Sequence, residues 1–363
     1  MDSQFIFVTC QIGSEQIIKK NLVEKGLRFA FSRPGFLTFK TPHPQPLLDS
    51  LELNDPFVRS AGRCLGKVQG ESDEQRALAL WNQVADIPFD RLHVWPRDRF
   101  AAGQHHFNPG LNDGSRAAEA SLRQTAPATR SNLFENRCDK NLARRNERVL
   151  DCIVVEADEW WIGAHFVDRW VQRWPGGFWQ PAGEVEMISR AYLKMSEALA
   201  WLAWPIKAGQ RWVELGCAPG GASQALLDCG MRVAGIDPAQ VDPRIENHPE
   251  FQHIRKRSGD VRVRDFQEFQ WLTADMNLAP EKMLDEVERI VAHQANRVWG
   301  VILTAKLQDW NLADRIPNYL ERIGSWGYPR LRARQLSHNR QEVCLAGLRP
   351  QRKNRRLAIR RSR

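Results

Sequence analysis

The stretch 211–221, RWVELGCAPGG, constrains this chain more than any other. Trp212, Val213 and Leu215 form an apolar, strand-like run that carries Glu214 near its end and stops at Gly216. Pro219, Gly220 and Gly221 complete a turn, and a helical pattern follows over 222–227. Strand, glycine turn and helix make the ligand-binding corner of an open α/β sheet, at the carboxyl end of a strand. Gly216 permits a turn with positive φ, and Gly220 and Gly221 leave bare main chain for a ligand to lie against. The spacing G-x-x-x-x-G-K-[ST] is absent and no lysine follows the turn, which argues against a nucleotide-phosphate loop. The next strand pattern, 232–236, ends in Asp237, an acid placed to accept hydrogen bonds from ribose hydroxyls.

With 363 residues the chain has room for two or three domains. Residues 1–90 read as strand, helix, strands, helix: a small α+β unit of ferredoxin-like pattern, with a helix over 15–25 ended by Gly26. Residues 91–184 form a second region. Within it, 96–148 is polar and basic, with ten Lys/Arg against six Asp/Glu, which suits RNA positioning or a structural spacer. Helices are expected over 116–124 and 139–148, then two strands over 149–155 and 160–167. His105 and His106 have no acidic or cysteine partner at ligand spacing, so no metal is expected. The segment 169–183 reads as a linker. Its Trp170, Trp174, Phe178 and Trp179 either stack on unpaired bases or pin the linker to a domain, and packing is the more ordinary role. From 185 to 349 β and α patterns alternate, with a pair of strands at the end that reads as antiparallel. A helix capped by Ser189 precedes the glycine loop.

The formal net charge is +9, and the tail 350–363 holds seven basic residues and no acid, a solvated or nucleic-acid-binding arm. Seven scattered cysteines without C-x-x-C indicate reduced thiols in the cytoplasm. No stretch has the length and apolarity of a signal peptide or a membrane span.

Four polar residues fall where the pattern places strand ends or a helix edge. Lys194 lies in the helix before the glycine loop, and Asp275 directly follows the apolar strand WLTA. Lys306 follows VWGVILTA, and Glu342 opens EVCLAGL. Asp275 and Lys306 thus sit at carboxyl ends of neighbouring strands, beside the glycine turn.

The loop E-x-G-x-x-P-G-G resembles the S-adenosylmethionine loop of class I methyltransferases, and its APGG form resembles that of FtsJ-type ribose 2′-O-methyltransferases. The chemistry of such a reaction suits the four polar residues. A ribose hydroxyl is a poor nucleophile and must lose its proton as it attacks. A lysine, with an unperturbed pKa of about 10.4, needs a neighbouring cation or desolvation to accept it. Carboxylates orient the ammonium groups and the hydroxyl. The Pro-Pro-aromatic signature of base amino methylation is missing after Asp275, as is the cysteine nucleophile of cytosine C5 methylation. Cys217, in the loop, reads as a small packing residue.

Lys194, Asp275, Lys306 and Glu342 match the K-D-K-E tetrad of the FtsJ-type family in order and spacing. The segments SRAYLKMSEA and RQLSHNRQEV resemble those of its members that act on large-subunit ribosomal RNA. The resemblance implies a class I, Rossmann-like α/β domain over 185–349, preceded by a ferredoxin-like unit (1–90) and a THUMP-like RNA-binding region (91–184). It implies S-adenosyl-L-methionine as cofactor, held by Glu214, Gly216, Cys217, Ala218, Pro219, Gly220, Gly221, Asp237, Asp260 and Asp275. The expected substrate is a cytidine ribose of 23S RNA, and the expected enzyme is a cytoplasmic monomer without metal or membrane. Two other readings stand beside it: a non-catalytic RNA-binding or ribosome-assembly factor with a vestigial fold, and the same chemistry on another RNA such as transfer RNA. The sequence departs from the family in lacking a proline soon after Lys306 and in carrying the basic tail.

Overall fold

Residues 2–46, 53–101, 109–134 and 142–350 are described by the computed structural model. His105, His106 and the basic tail from 351 onward lie outside them. The chain forms two compact units, one built by residues up to Ala182 together with Ser337–Arg340, the other by Gly183–Leu336 and the chain from Gln341.

In the first unit, period-two alternation gives strands and 3.6-residue periodicity gives helices. The order is β1 (Asp2–Thr9), α1 (Glu15–Glu24), β2 (Arg28–Arg33), β3 (Phe36–Pro46), β4 (Ser60–Gln69), α2 (Asp73–Gln83), β5 (Arg91–Pro96), α3 (Asp113–Thr125), β6 (Arg148–Glu156) and β7 (Glu159–Phe166). All seven strands join one sheet in the order β2-β3-β1-β4-β7-β6-β5, antiparallel except for the parallel pair β5–β6. Strands on both sides of residue 90 therefore share one sheet. Alternation on β7 sends Trp160 into a core with Leu80, Trp81 and Leu122, beneath α2 and α3. It sends Trp161 to the opposite face, beside Phe7, Phe36 and Trp95.

The helix expected over 139–148 does not form in its described part. Asn146 is left-handed at φ 71°, Glu147 turns its carboxylate back to accept Arg144 N–H (2.9 Å), and Arg148 opens β6. The segment 169–183 folds as two short 3-10 turns, Trp170–Arg173 and Pro175–Gly177. Phe178 and Trp179 are buried, and the Trp170 and Trp174 rings pack with centroids 4.4 Å apart.

The second unit runs α4 (Ala191–Leu202), β8 (Arg211–Leu215), α5 (Gly221–Asp228), β9 (Arg232–Ile236), α6 (Pro243–Glu246), β10 (Phe251–Ile254), β11 (Trp271–Ala274), α7 (Pro280–Val291), β12 (Gly300–Lys306), α8 (Ile316–Ser325), β13 (Arg330–Arg334) and β14 (Glu342–Leu348). Its sheet order is β10-β9-β8-β11-β12-β14-β13. The first five strands are parallel, and β14 enters antiparallel between β12 and β13. This is the Rossmann-like α/β sheet with an antiparallel end that the pattern predicts. The winding reverses between β8 and β11, which opens a crevice at their carboxyl ends. Stacked Trp212 and Trp271, 5.2 Å apart, fill the layer beneath. Two local details differ from expectation. The helix expected over 312–323 starts as a 3-10 turn, Trp310–Arg315, because Pro317 has no N–H to donate backward and can only start a new helix. Ser189 lies two residues before the helix start, with Arg190 at the cap position, and its Oγ accepts Ala191 N–H (3.3 Å).

Candidate active site

At the crevice, β8 ends in Gly216, whose φ is +81°. A Cβ added there would lie 2.8 Å from the Asp275 carbonyl oxygen, so only glycine lets the two strand ends approach. Gly216 N–H donates to Ile236 O (2.9 Å) and Asp275 N–H to Leu215 O (3.1 Å), tying the ends of β8, β9 and β11 together. A cavity of about 590 Å³ opens above them. Of the residues expected at the cofactor, Gly216, Ala218, Asp237, Asp260 and Asp275 line this cavity. Asp237 uses its carboxylate on the loop itself, accepting Ala218 N–H (3.2 Å) and Ala239 N–H (2.9 Å).

The remaining loop residues sit behind that lining. Glu214 is buried and accepts the Ser223 hydroxyl at 2.5 Å. Burial pushes its carboxyl up to about 8, against the Ser223 hydrogen bond and with the help of nearby Asp275 and Asp237, so it is largely a neutral acid at pH 7. Cys217 is buried and packs toward Gly235. Pro219 follows a cis peptide bond and its carbonyl accepts Asp242 N–H (2.9 Å). Gly220 faces Ile245 of α6, and Gly221 abuts Ser189 and the start of α4. The cavity also takes Arg257, Ser258, Met276, Leu278 and Glu286, which sequence reasoning missed. They come from the loops after β10 and β11 and from α7. The run of polar and basic residues at 255–260 is the only sign of them in the sequence.

The four polar residues converge. Lys306 and Glu342 are cross-strand partners at the ends of β12 and β14, and Asp275 follows β11 next door. Lys194 reaches in from α4, donating to Asp275 Oδ2 and to Glu342 Oε1 (3.0 Å). Lys306 Nζ lies 3.5 Å from Asp275 Oδ1 and lines the cavity. Burial pulls the Lys194 ammonium toward neutrality, but Asp275 and Glu342 outweigh it, and its pKa ends raised. Lys194 is therefore a fixed cation, with a second amine, Lys306, on the other oxygen of the shared carboxylate. Among the described residues no group of three or more His, Cys, Asp or Glu is placed to hold a metal ion. No described helix is long and apolar enough to cross a membrane.

This fold and site define a class. Residues 187–304, which lie in the second unit, match the family described as FtsJ-like methyltransferase. The chain is similar to the ribosomal RNA large subunit methyltransferase M of Laribacter hongkongensis, 30% identical over 194 residues that cover 50% of this chain and 54% of that one. It is similar over more of its length to the ribosomal RNA large subunit methyltransferase M of Azoarcus sp., 25% identical over 323 residues, 85% of this chain and 84% of that one. The first of these matches, with those from Xylella fastidiosa, span about half the length of the relatives concerned. Among solved structures, magnesium protoporphyrin IX methyltransferase from Synechocystis is 13% identical over 47% of this chain and 87% of its own, with a TM-score of 0.34, too slight a likeness to bear on the site.

Proposed function

We propose that this protein transfers the methyl group of S-adenosylmethionine to a ribose 2′-hydroxyl of large-subunit ribosomal RNA, with a cytidine as the nucleotide. The observation that carries the reading is the tetrad: two lysines on opposite oxygens of Asp275, one of them locked by Glu342, at the mouth of the cavity. The family match and the names of the relatives supply the reaction class and the RNA.

The cavity fits the cofactor. Bare main chain at Gly216 bounds it, carboxylates at Asp237 and Asp260 offer acceptors for hydroxyl and amino groups, and Met276 and Leu278 give apolar walls. S-adenosylmethionine bound there supplies an electrophilic methyl group on a sulfonium sulfur. Lys306 accepts the proton of the 2′-hydroxyl as that oxygen attacks. Lys194 stays charged, held so by Asp275 and Glu342. Asp275 and Glu342 hold Lys194 in place, and Asp275 aims the Lys306 amine, so that hydroxyl and base meet in one geometry. Behind the lining, Glu214, Cys217, Pro219, Gly220 and Gly221 shape the loop that carries Gly216 and Ala218. The first unit, which takes in most of the 91–184 region, positions the RNA. Comparing 2′-O-methyl sites in total RNA from cells with and without this protein tests the proposal. It predicts one large-subunit site that vanishes with the protein, and an unchanged map contradicts it.

A further inference from the structure

The face of the first sheet that turns away from α2 and α3 carries cations set against ring faces. A register shift in β2 between Phe29 and Phe31 brings Phe31 opposite Thr38 of β3, and a shift in β4 between Cys64 and Gly66 brings Lys67 opposite Trp161 of β7. Phe5 and Lys40 are partners in the β1–β3 register. Cross-strand partners share a face, so these side chains form one surface. The Phe31 and Trp161 rings stack, with centroids 5.3 Å apart and planes 25° apart. The Arg33 guanidinium lies 4.9 Å from the Phe31 centroid, Lys67 Nζ 6.0 Å from that of Trp161, and Lys40 Nζ 5.9 Å from that of Phe5. Phe5 is 43% exposed, and Arg33 and Lys67 are exposed.

Trp161 is held rigidly. Its indole N–H donates to Glu159 Oε1 (2.9 Å), and Phe36 packs against it from the core side (5.0 Å). Glu159 Oε2 accepts Lys67 (2.6 Å) and Gln69 (2.9 Å), so this carboxylate is already engaged and does little to repel a polyanion. A core-packing role accounts for Phe36, but it leaves unexplained why ring after ring on this surface is flanked by a cation. Rings bind unpaired bases through their π-faces, and the adjoining cations bind the phosphates between them.

We infer that this face of the first unit is a stacking platform for an unpaired segment of RNA, with Phe5, Phe31 and Trp161 under the bases and Arg33, Lys40 and Lys67 on the backbone. The inference rests on the reading that the substrate is RNA, and it names the part of that RNA the first unit holds: a single-stranded stretch, since bases closed in a duplex offer no face to stack on.

The test measures binding of a fluorescein-labelled oligouridylate of about twelve nucleotides, within the site sizes of such surfaces, by anisotropy on the full chain, beside a hairpin duplex of equal charge. Phe31→Leu keeps an apolar side chain and removes the π-face. It should weaken single-strand binding about tenfold and leave hairpin binding unchanged. The surface double variant Arg33→Ala/Lys67→Ala should lower the logarithmic salt slope on the single strand by about 1.4, about 0.7 for each lost contact. Calorimetry with S-adenosylmethionine should be unaffected in both. Wild-type affinity and salt slope in the double variant, or equal losses on single strand and hairpin, overturn the platform; if Phe31→Leu does not fold, the double variant decides. A wild-type protein that binds the oligonucleotide in this way but methylates no RNA removes the enzymatic reading and leaves the platform. Normal methyl transfer with unchanged binding by Phe31→Leu removes the platform alone.

Discussion

Lys306 and Lys194 share one carboxylate, but only Lys306 lines the cavity, and this difference assigns their roles. Lys306→Ala should lower methyl transfer by about 10²–10⁴-fold, the usual contribution of a positioned base, with cofactor affinity by calorimetry nearly intact. Lys306→Arg keeps the charge and cannot release a proton at working pH, so it should be as inactive as alanine. Near-normal turnover of the arginine variant would make the lysine only a clamp. Glu214 gives a pH signature. Its folded-state pKa, about 8, exceeds the ordinary carboxyl value, so its contribution to stability is complete at acid pH and is lost as pH rises toward 8. Glu214→Gln, uncharged at every pH, should flatten that decline in thermal unfolding between pH 5 and 8; an unchanged decline would show that Glu214 ionises freely in the fold. Asp275 and Lys306 stood out because each follows an apolar strand run and Glu342 because it opens one, whereas Lys194, inside a helix, was singled out by the family resemblance. The partner of Glu214 was not legible, because Ser223 reads in sequence as an ordinary helix residue.

The corner β8–Gly216–α5 was readable as an element, since an apolar run followed by glycines has few other solutions. What the pattern did not carry is that Gly216 is fixed from outside by the Asp275 carbonyl, a contact between strand ends 59 residues apart in sequence. Gly216→Ala should therefore cost more than backbone strain. Gly209 has nearly the same φ, +80°, with nothing within 4 Å of an added Cβ, and serves as the control. Gly209→Ala should lose about 1–3 kcal/mol of stability in urea unfolding and keep cofactor affinity. Gly216→Ala should lose more and weaken cofactor binding and methyl transfer together, because it displaces the main chain that carries Asp275. Equal effects of the two would mean that the close approach is unimportant. The helix expected over 139–148 shows the opposite failure: its charged residues suit a helix exterior, but Asn146 turns left-handed and donates its N–H to Val167 O (2.9 Å), while the Glu147 carboxylate accepts Arg144 N–H.

At the scale of the whole molecule, the sequence pattern suggested divisions near 90 and near 185, and the single seven-stranded sheet that runs across residue 90 was not legible in it. Its β4–β7 ladder joins Lys67 to Trp161 across more than ninety residues, and alternation says which face a strand buries without naming its neighbour. A buried polar cluster lies under that sheet. His165 Nδ1 meets Asp151 Oδ2 at 2.5 Å and its Nε2 meets Gln172 O at 3.0 Å, while Trp95 Nε1 donates to Asp151 Oδ1 at 2.9 Å. Burial lowers the His165 pKa, but Asp151 and the Gln172 carbonyl more than reverse this, so the net shift is upward. The imidazolium's contribution to stability is then complete below about 6.5, the ordinary histidine value, and is lost as pH rises through the raised folded value. The Tm difference between wild type and His165→Gln should be larger at pH 6 than at pH 9. A difference independent of pH would show that His165 is buried neutral.

The central claim is the site of methylation, a ribose oxygen at the Lys306 side of the cavity. The most direct measurement incubates the purified protein with S-adenosylmethionine labelled in its methyl group and large-subunit RNA or particles from cells lacking the protein, then digests the RNA with alkali. Alkali cleaves RNA through the free 2′-hydroxyl, so a methylated ribose leaves its phosphodiester intact. The account predicts label in an alkali-resistant dinucleotide, and none when Lys306→Ala replaces the wild type. Label in alkali-released mononucleotides, the mark of a methylated base, would contradict it.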